Sequence, residues 1–153
     1  MAQYTTLVNA TSNSSANTED TFIELFPPAS VSLLLKRYRV SFTAAPADVT
    51  TRIRVKRVSA AGATGTSGTI VKRRPAAPAA VSSSTVKNGT AAFTVGTLVD
   101  TVADSAVNSR GVFEWVSRDE DDYIVSGVNQ RLSITISCSA VSTVHTVECD
   151  FEE

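Results

Sequence analysis

The sequence is poor in the residues that most catalytic and metal sites are built from. Its 153 residues include one histidine, two cysteines, one tryptophan and one methionine. A catalytic or ligating histidine needs convergent partners. His145 instead sits in Thr143-Val144-His145-Thr146-Val147, a strand pattern that reads as a surface or cross-strand position. One histidine and two cysteines do not make a zinc set. No nucleophile elbow, phosphate-cradling loop or dinucleotide fingerprint occurs, so the expectation is a non-enzymatic chain without a cofactor. No run of about 18 apolar residues is present, and no transmembrane helix is expected. Met1 to Asn9 has neither a basic region nor an apolar core, which predicts a protein made in the cytoplasm. On that reading the sequons at Asn9, Asn13 and Asn88 carry no weight.

Charge is nearly balanced overall, at −1, which argues against a global pull towards nucleic acid or membrane. Its distribution is uneven. Lys36 to Arg74 holds ten basic residues and one acid, and Asp100 to the end holds eleven acids and three bases. The basic set (Arg37, Arg39, Arg52, Arg54, Lys56, Arg57, Lys72, Arg73, Arg74) has the charge for phosphate contacts. Beyond Tyr38 no aromatic ring interleaves it, and direct nucleic-acid binding is not expected. Asp119-Glu120-Asp121-Asp122 is the best candidate for Ca²⁺, which takes hard oxygens. Its spacing is not that of an EF-hand loop, and a solvated acidic turn is the plainer reading.

The apolar runs are rich in Val, Ile, Thr and aromatics and alternate with period two, which favours strands. Strands are expected at 3–9, 20–26, 31–43, 51–58, 70–73, 91–95, 97–102, 112–116, 123–125, 131–138 and 141–151, with turn signals between them. The predicted fold is all-β, an antiparallel sandwich of about eight to ten strands, jelly-roll or a related Greek key. A single domain spans 1–153, with an N-terminal arm over 1–19 and long loops over 59–69 and 74–90. The 31–43 and 51–58 strands are expected to pair as sequential neighbours. Within 31–43, Leu34, Lys36, Tyr38, Val40 and Phe42 share one face, and Leu33, Leu35, Arg37, Arg39 and Ser41 the other. A tight hairpin at Ser139–Ser142 sets Cys138 near Thr143 and Cys149 near Leu132, too far apart for a disulfide. Both cysteines then read as small apolar core residues in a reducing compartment.

Two segments put charge on one strand face. Arg52, Arg54 and Lys56 alternate with Ile53 and Val55, and Glu148, Asp150 and Glu152 alternate with Val147, Cys149 and Phe151. These six charged residues are the candidate protein-interface set. The expectation is that the two ladders pair with each other, within one copy or between copies. Most of the remaining charge reads as solvated strand faces or ion pairs between the two halves.

The Thr/Ser/Ala/Val-rich chain, the Lys72-Arg73-Arg74-Pro75-Ala76-Ala77-Pro78 linker, the Arg110–Val116 strand followed by acids, and the final strand closing on acids carry a resemblance. Together they resemble small β-sandwich virion proteins of tailed bacteriophages, especially head decoration (cement) proteins. The resemblance is spread over the whole chain and transfers no individual functional residue. It implies a virion structural protein assembled in the host cytoplasm. Its partners would be the major capsid protein and its own copies, as a homotrimer at a capsid symmetry axis. The N-terminal segment and the two loops would be its contact surfaces. The rival reading is a receptor- or carbohydrate-binding sandwich of a tail fibre or spike. Its sugar platform would come from Tyr4, Tyr38, Trp115 or Tyr123; a tryptophan placed like Trp115 is more often core.

Overall fold

A computed structural model describes residues 1–12, 15–44, 49–119 and 122–153. Asn13 of one sequon, and Glu120 and Asp121 of the acidic turn, lie outside the described residues. Twelve strands occur among the described residues, more than the eight to ten expected. They are β1 (Gln3–Thr11), β2 (Glu19–Phe26), β3 (Leu34–Ala44), β4 (Thr50–Val58), β5 (Thr66–Ser67), β6 (Ile70–Lys72), β7 (Ser83–Val86), β8 (Leu98–Asn108), β9 (Phe113–Val116), β10 (Ile124–Val125), β11 (Arg131–Cys138) and β12 (Val144–Glu152).

The chain doubles back on itself as a two-stranded ribbon. β1 pairs antiparallel with β12, β2 with β11, β3 with β9 and β10, and β4 with β8. The ribbon is rolled so that β12 also pairs with β3 and β11 with β4. One sheet, A, runs β10-β3-β12-β1-β6 with β9 also on β3; the other, B, runs β5-β7-β2-β11-β4-β8. Successive ribbon strands therefore alternate between sheets, which is the jelly-roll arrangement of two Greek keys.

Three expectations change with this topology. β3 and β4 are not neighbours but lie in opposite sheets. Side by side they would set Arg37 and Arg39 against Arg52 and Arg54, an unfavourable like-charge pairing. Across the sandwich they instead face each other with Leu35, Tyr38 and Val40 against Ile53 and Val55, all buried. The stretch after Cys138 is not a hairpin either, because it carries the chain from sheet B into sheet A. Cys138 still contacts Thr143, at 3.5 Å, and both cysteines are buried and free. Finally, residues 3–11 do not reach out as an arm. β1 is an internal strand held by β12 on one side and β6 on the other.

Bulges correct the faces read from strict alternation. The register of β12 on β3 shifts between Asp150 and Phe151, leaving Lys36 as the extra residue. An extra residue reverses the side-chain phase. Leu33 and Leu35 therefore point inwards together with Tyr38 and Val40, while Leu34 and Lys36 are only partly buried. A second bulge, between Ile134 and Thr135, places Phe22 in the core beside Ile23.

The core lies between the sheets. Tyr4 stacks on Phe151 (ring centroids 5.6 Å apart) and Tyr38 on Trp115 (5.4 Å). His145 follows the inward set of β12 with Val147, Cys149 and Phe151, so it is a buried core residue rather than a surface one.

Between β4 and β8 the chain inserts residues 59–97, which extend both sheets: β6 adds to β1, β7 to β2, and β5 to β7. The 59–69 segment is bonded to residues that follow it. Ser59 donates to Thr97 O (2.9 Å) and Ala63 to Thr94 Oγ1 (2.9 Å), over the fully buried ring of Phe93. A Cβ on Gly62 or Gly96 would strike the backbone oxygen of Thr94 or Ala60, so close packing of these two stretches requires glycine there. The strand expected at 91–95 is absent, and the weak one at 97–102 belongs to β8, eleven residues long.

Candidate functional site

The two charge ladders lie on the outward faces of different sheets, and within the chain they do not meet. β4 sits between β11 and β8, and its basic side chains reach across both to acids on β2 and β8. Arg52 binds Asp104 at 2.5 Å, Arg54 binds Glu19 at 3.1 Å and Asp104 at 3.3 Å, and Lys56 binds Glu19 at 2.5 Å. Thr135, between them on β11, donates to Glu19 as well. Burial works against the charge of Glu19, but hydrogen bonds from Lys56, Thr135 and Arg54 outweigh it and hold the carboxyl below its usual range. The Arg52 hydrogen bond, against a smaller burial penalty, holds Asp104 low in the same way. Two carboxylates thus clamp three cations across four strands.

The acidic ladder on β12 is flanked by β3 and β1. Arg37 contacts Glu148 at 2.6 Å, Asp150 at 2.7 Å and Glu114 at 3.0 Å, so one guanidinium ties β3, β12 and β9 together. Arg73, just past β6, also pairs with Asp150. Glu152 accepts from Lys36 and from Gln3, each at 2.9 Å. Burial disfavours its charge, and the Lys36 and Gln3 bonds reverse that, leaving it below the usual carboxylate range. Beyond the ladder, Glu153 accepts from the backbone of Val81 (2.6 Å) and Ser82 (2.9 Å), fastening the insertion to the C-terminal strand.

The six candidate residues are therefore accounted for by acids and bases of their own sheets. Ion pairs between the halves, expected from the charge distribution, are what the ribbon makes: Arg57 with Asp100 (2.7 Å) and Arg37 with Glu114 join its outgoing and returning strands.

Two buried polar clusters had no legible signal. Lys87 and Asp20 form an ion pair at 3.1 Å, with side chains 0% and 1% exposed. Lys87 also donates to Ala91 O and lies 5.9 Å from the Phe22 ring centroid. Glu24, also buried, accepts from Arg131 (2.9 Å), Ser133 (3.3 Å) and the backbone of Gly62 (3.2 Å). Both clusters join the insertion to β2, a contact between segments far apart in sequence that no local pattern announces.

His145 lies edge-on between Phe22 (5.5 Å) and Phe42 (5.2 Å), and neither ring nitrogen has a hydrogen-bond partner among the described residues. Burial alone lowers its pKa from 6.5 to about 4. Burial also pushes the Cys149 thiol up, well away from thiolate chemistry at neutral pH, and raises the Tyr38 phenol to about 12 against a hydrogen bond with Ser105.

Of the rings considered for a sugar platform, Tyr4 and Tyr38 are buried, Trp115 packs on the core, and Tyr123 is half-buried with Lys36 4.8 Å from its ring. The basic residues considered for phosphate contact are divided between the two sheets and the insertion, with Arg39, Lys72 and Arg74 exposed. Among the described residues, no group of three His, Cys, Asp or Glu is placed to hold a metal ion; half of the acidic turn lies outside them. No family model, curated protein or solved structure matches this chain, and its function is read from its own geometry.

Proposed function

We propose that this chain is a non-enzymatic structural protein of a virus particle, a capsid decoration protein of a tailed bacteriophage that stabilises the shell by protein–protein contacts. The observation that carries the reading is a jelly-roll sandwich braced by interstrand ion pairs on both outer faces, with an insertion of 39 residues (59–97) laid along one side. Such a body keeps its shape while presenting faces and edges to neighbours, the requirement for a repeated contact on a shell. The jelly-roll serves capsid and lectin domains alike, so the fold by itself does not choose between decoration and sugar recognition. The resemblance in chain composition, the basic proline-rich linker and the acid-closing strands favours decoration. Its partners are then the major capsid protein and further copies of the chain, as a homotrimer, assembled in the host cytoplasm.

The test is co-sedimentation of the purified protein with shells of the phage's major capsid protein, beside a glycan array. Saturable binding to shells, a raised shell melting temperature and no glycan signal are expected. Glycan binding without shell binding would replace this reading with the tail-fibre or spike one.

A further inference from the structure

The ribbon leaves the two flanks of the sandwich with opposite charge. One flank is built from the insertion, with β5, β6 and β7 at the ends of the two sheets. Residues 59–97 contain four bases and no acid. Lys87 is buried against Asp20 and Arg73 is paired with Asp150, but Lys72 and Arg74 are exposed and have no ion partner among the described residues. The other flank is built from β8, β9 and β10, which line one groove together with Asp122. Residues 98–130 contain seven acids and two bases. Asp100, Asp104 and Glu114 are answered by arginines of β3 and β4, while Asp122 is exposed at the end of four consecutive acids.

Distance keeps these charges from cancelling within one copy. From β5 to β8 there are five interstrand steps, about 24 Å at the usual spacing, against a screening length of about 8–10 Å at ordinary salt. Both flanks also carry exposed aliphatic side chains, Val71 and Val81 on the basic side, Leu98 and Val99 on the acidic side. Each ends in a strand hydrogen-bonded on one side only.

We infer that the basic insertion flank of one copy docks against the acidic β8–β10 flank of a second copy, head to tail. Two like flanks repel, so a two-fold contact of either flank with itself is disfavoured, whereas unlike flanks attract. A heterologous contact of this kind closes into a ring when the rotation between copies allows, and otherwise runs open. The inference rests on the proposed self-association of the chain and supplies its surface. It also moves that surface away from Arg52, Arg54 and Lys56, whose charges are used inside one copy.

Sedimentation velocity on the full chain tests it, in about 0.1 M and about 1 M salt, where screening lengths are about 10 Å and about 3 Å. Wild type should associate with rising concentration at low salt and at least tenfold more weakly at high salt. Lys72→Glu with Arg74→Glu, and separately Asp119→Lys with Asp122→Lys, should each sediment as monomers. Mixing the two variants should restore association, because each supplies what the other has reversed. Wild type that stays monomeric in both salts overturns the inference, as do reversed variants that associate like wild type or a mixture that stays monomeric. Melting curves establish that each variant is folded, and wild-type salt dependence stands without any variant. Shell binding is read separately: shell binding by a strictly monomeric protein overturns this docking and leaves the proposed function, and self-association without shell binding does the reverse.

Discussion

At position 145 a titratable ring occupies a place that strand alternation reserves for an apolar side chain. Its two nitrogens are buried without partners between Phe22 and Phe42. The folded pKa, about 4, lies below the ordinary 6.5, so the unfolded chain takes up the proton first as pH falls. Stability from this site is complete above pH 6.5 and is lost between there and about pH 4, by about 3 kcal/mol in all. His145→Leu should flatten urea midpoints across that window and be no less stable at pH 7, because it removes two unsatisfied buried atoms. An unchanged slope in the variant would count against the buried, unpaired imidazole. Glu19, Asp104 and Glu152 have depressed pKa values, so their contribution is present above the usual carboxylate range and is lost only at lower pH. Lys87 provides the complementary case. Lys87→Met strands the buried Asp20 carboxylate and should cost about 3–5 kcal/mol, while adding Asp20→Leu should recover most of it. Chemical denaturation of the single and double variants measures both. Neither residue stands out in the sequence: His145 is one polar position in an alternating strand, and Lys87 follows a run of serines and valines.

At the scale of elements, the charge ladders act as register devices. A slip of β4 against β8 or β11 would separate Arg52 and Arg54 from Asp104, and Lys56 from Glu19. Exposed pairs contribute only ~0–1 kcal/mol each, so specificity outweighs strength here. Arg52→Glu with Arg54→Glu sets like charges against Asp104 and Glu19. The expected loss is about 1–2 kcal/mol, or about 3–6 °C in melting temperature, with self-association retained. A monomeric but equally heat-stable variant would return these residues to the interface. Alternation was enough to read β11 to its end residues and β2 to within one, because both carry unbroken patterns of buried residues. It failed at Lys36, where a bulge reverses the faces, and over β5 and β7, which are short, polar and paired only with distant segments.

For the whole molecule, the uneven charge of the two halves follows from the ribbon. Outgoing strands β3 and β4 are basic, returning strands β8, β9 and β12 are acidic, and folding the chain on itself sets one against the other. What pairing does not consume is left at the flanks. The shell-binding and sedimentation measurements therefore address separate scales of assembly, copy to shell and copy to copy.

The amino-acid sequence alone determined the all-β class, the alternating inner and outer faces of the ladder strands, and the burial of both cysteines, since these depend on side-chain period and local propensity. Which strands are neighbours, which acid answers each base, and how the insertion is held were decided only in three dimensions. Pairing partners in this fold are distant in sequence, up to β1 with β12. The choice between pairing side by side and facing across the core depends on how the apolar faces close on one another, a property of the assembled sheets and not of any one strand.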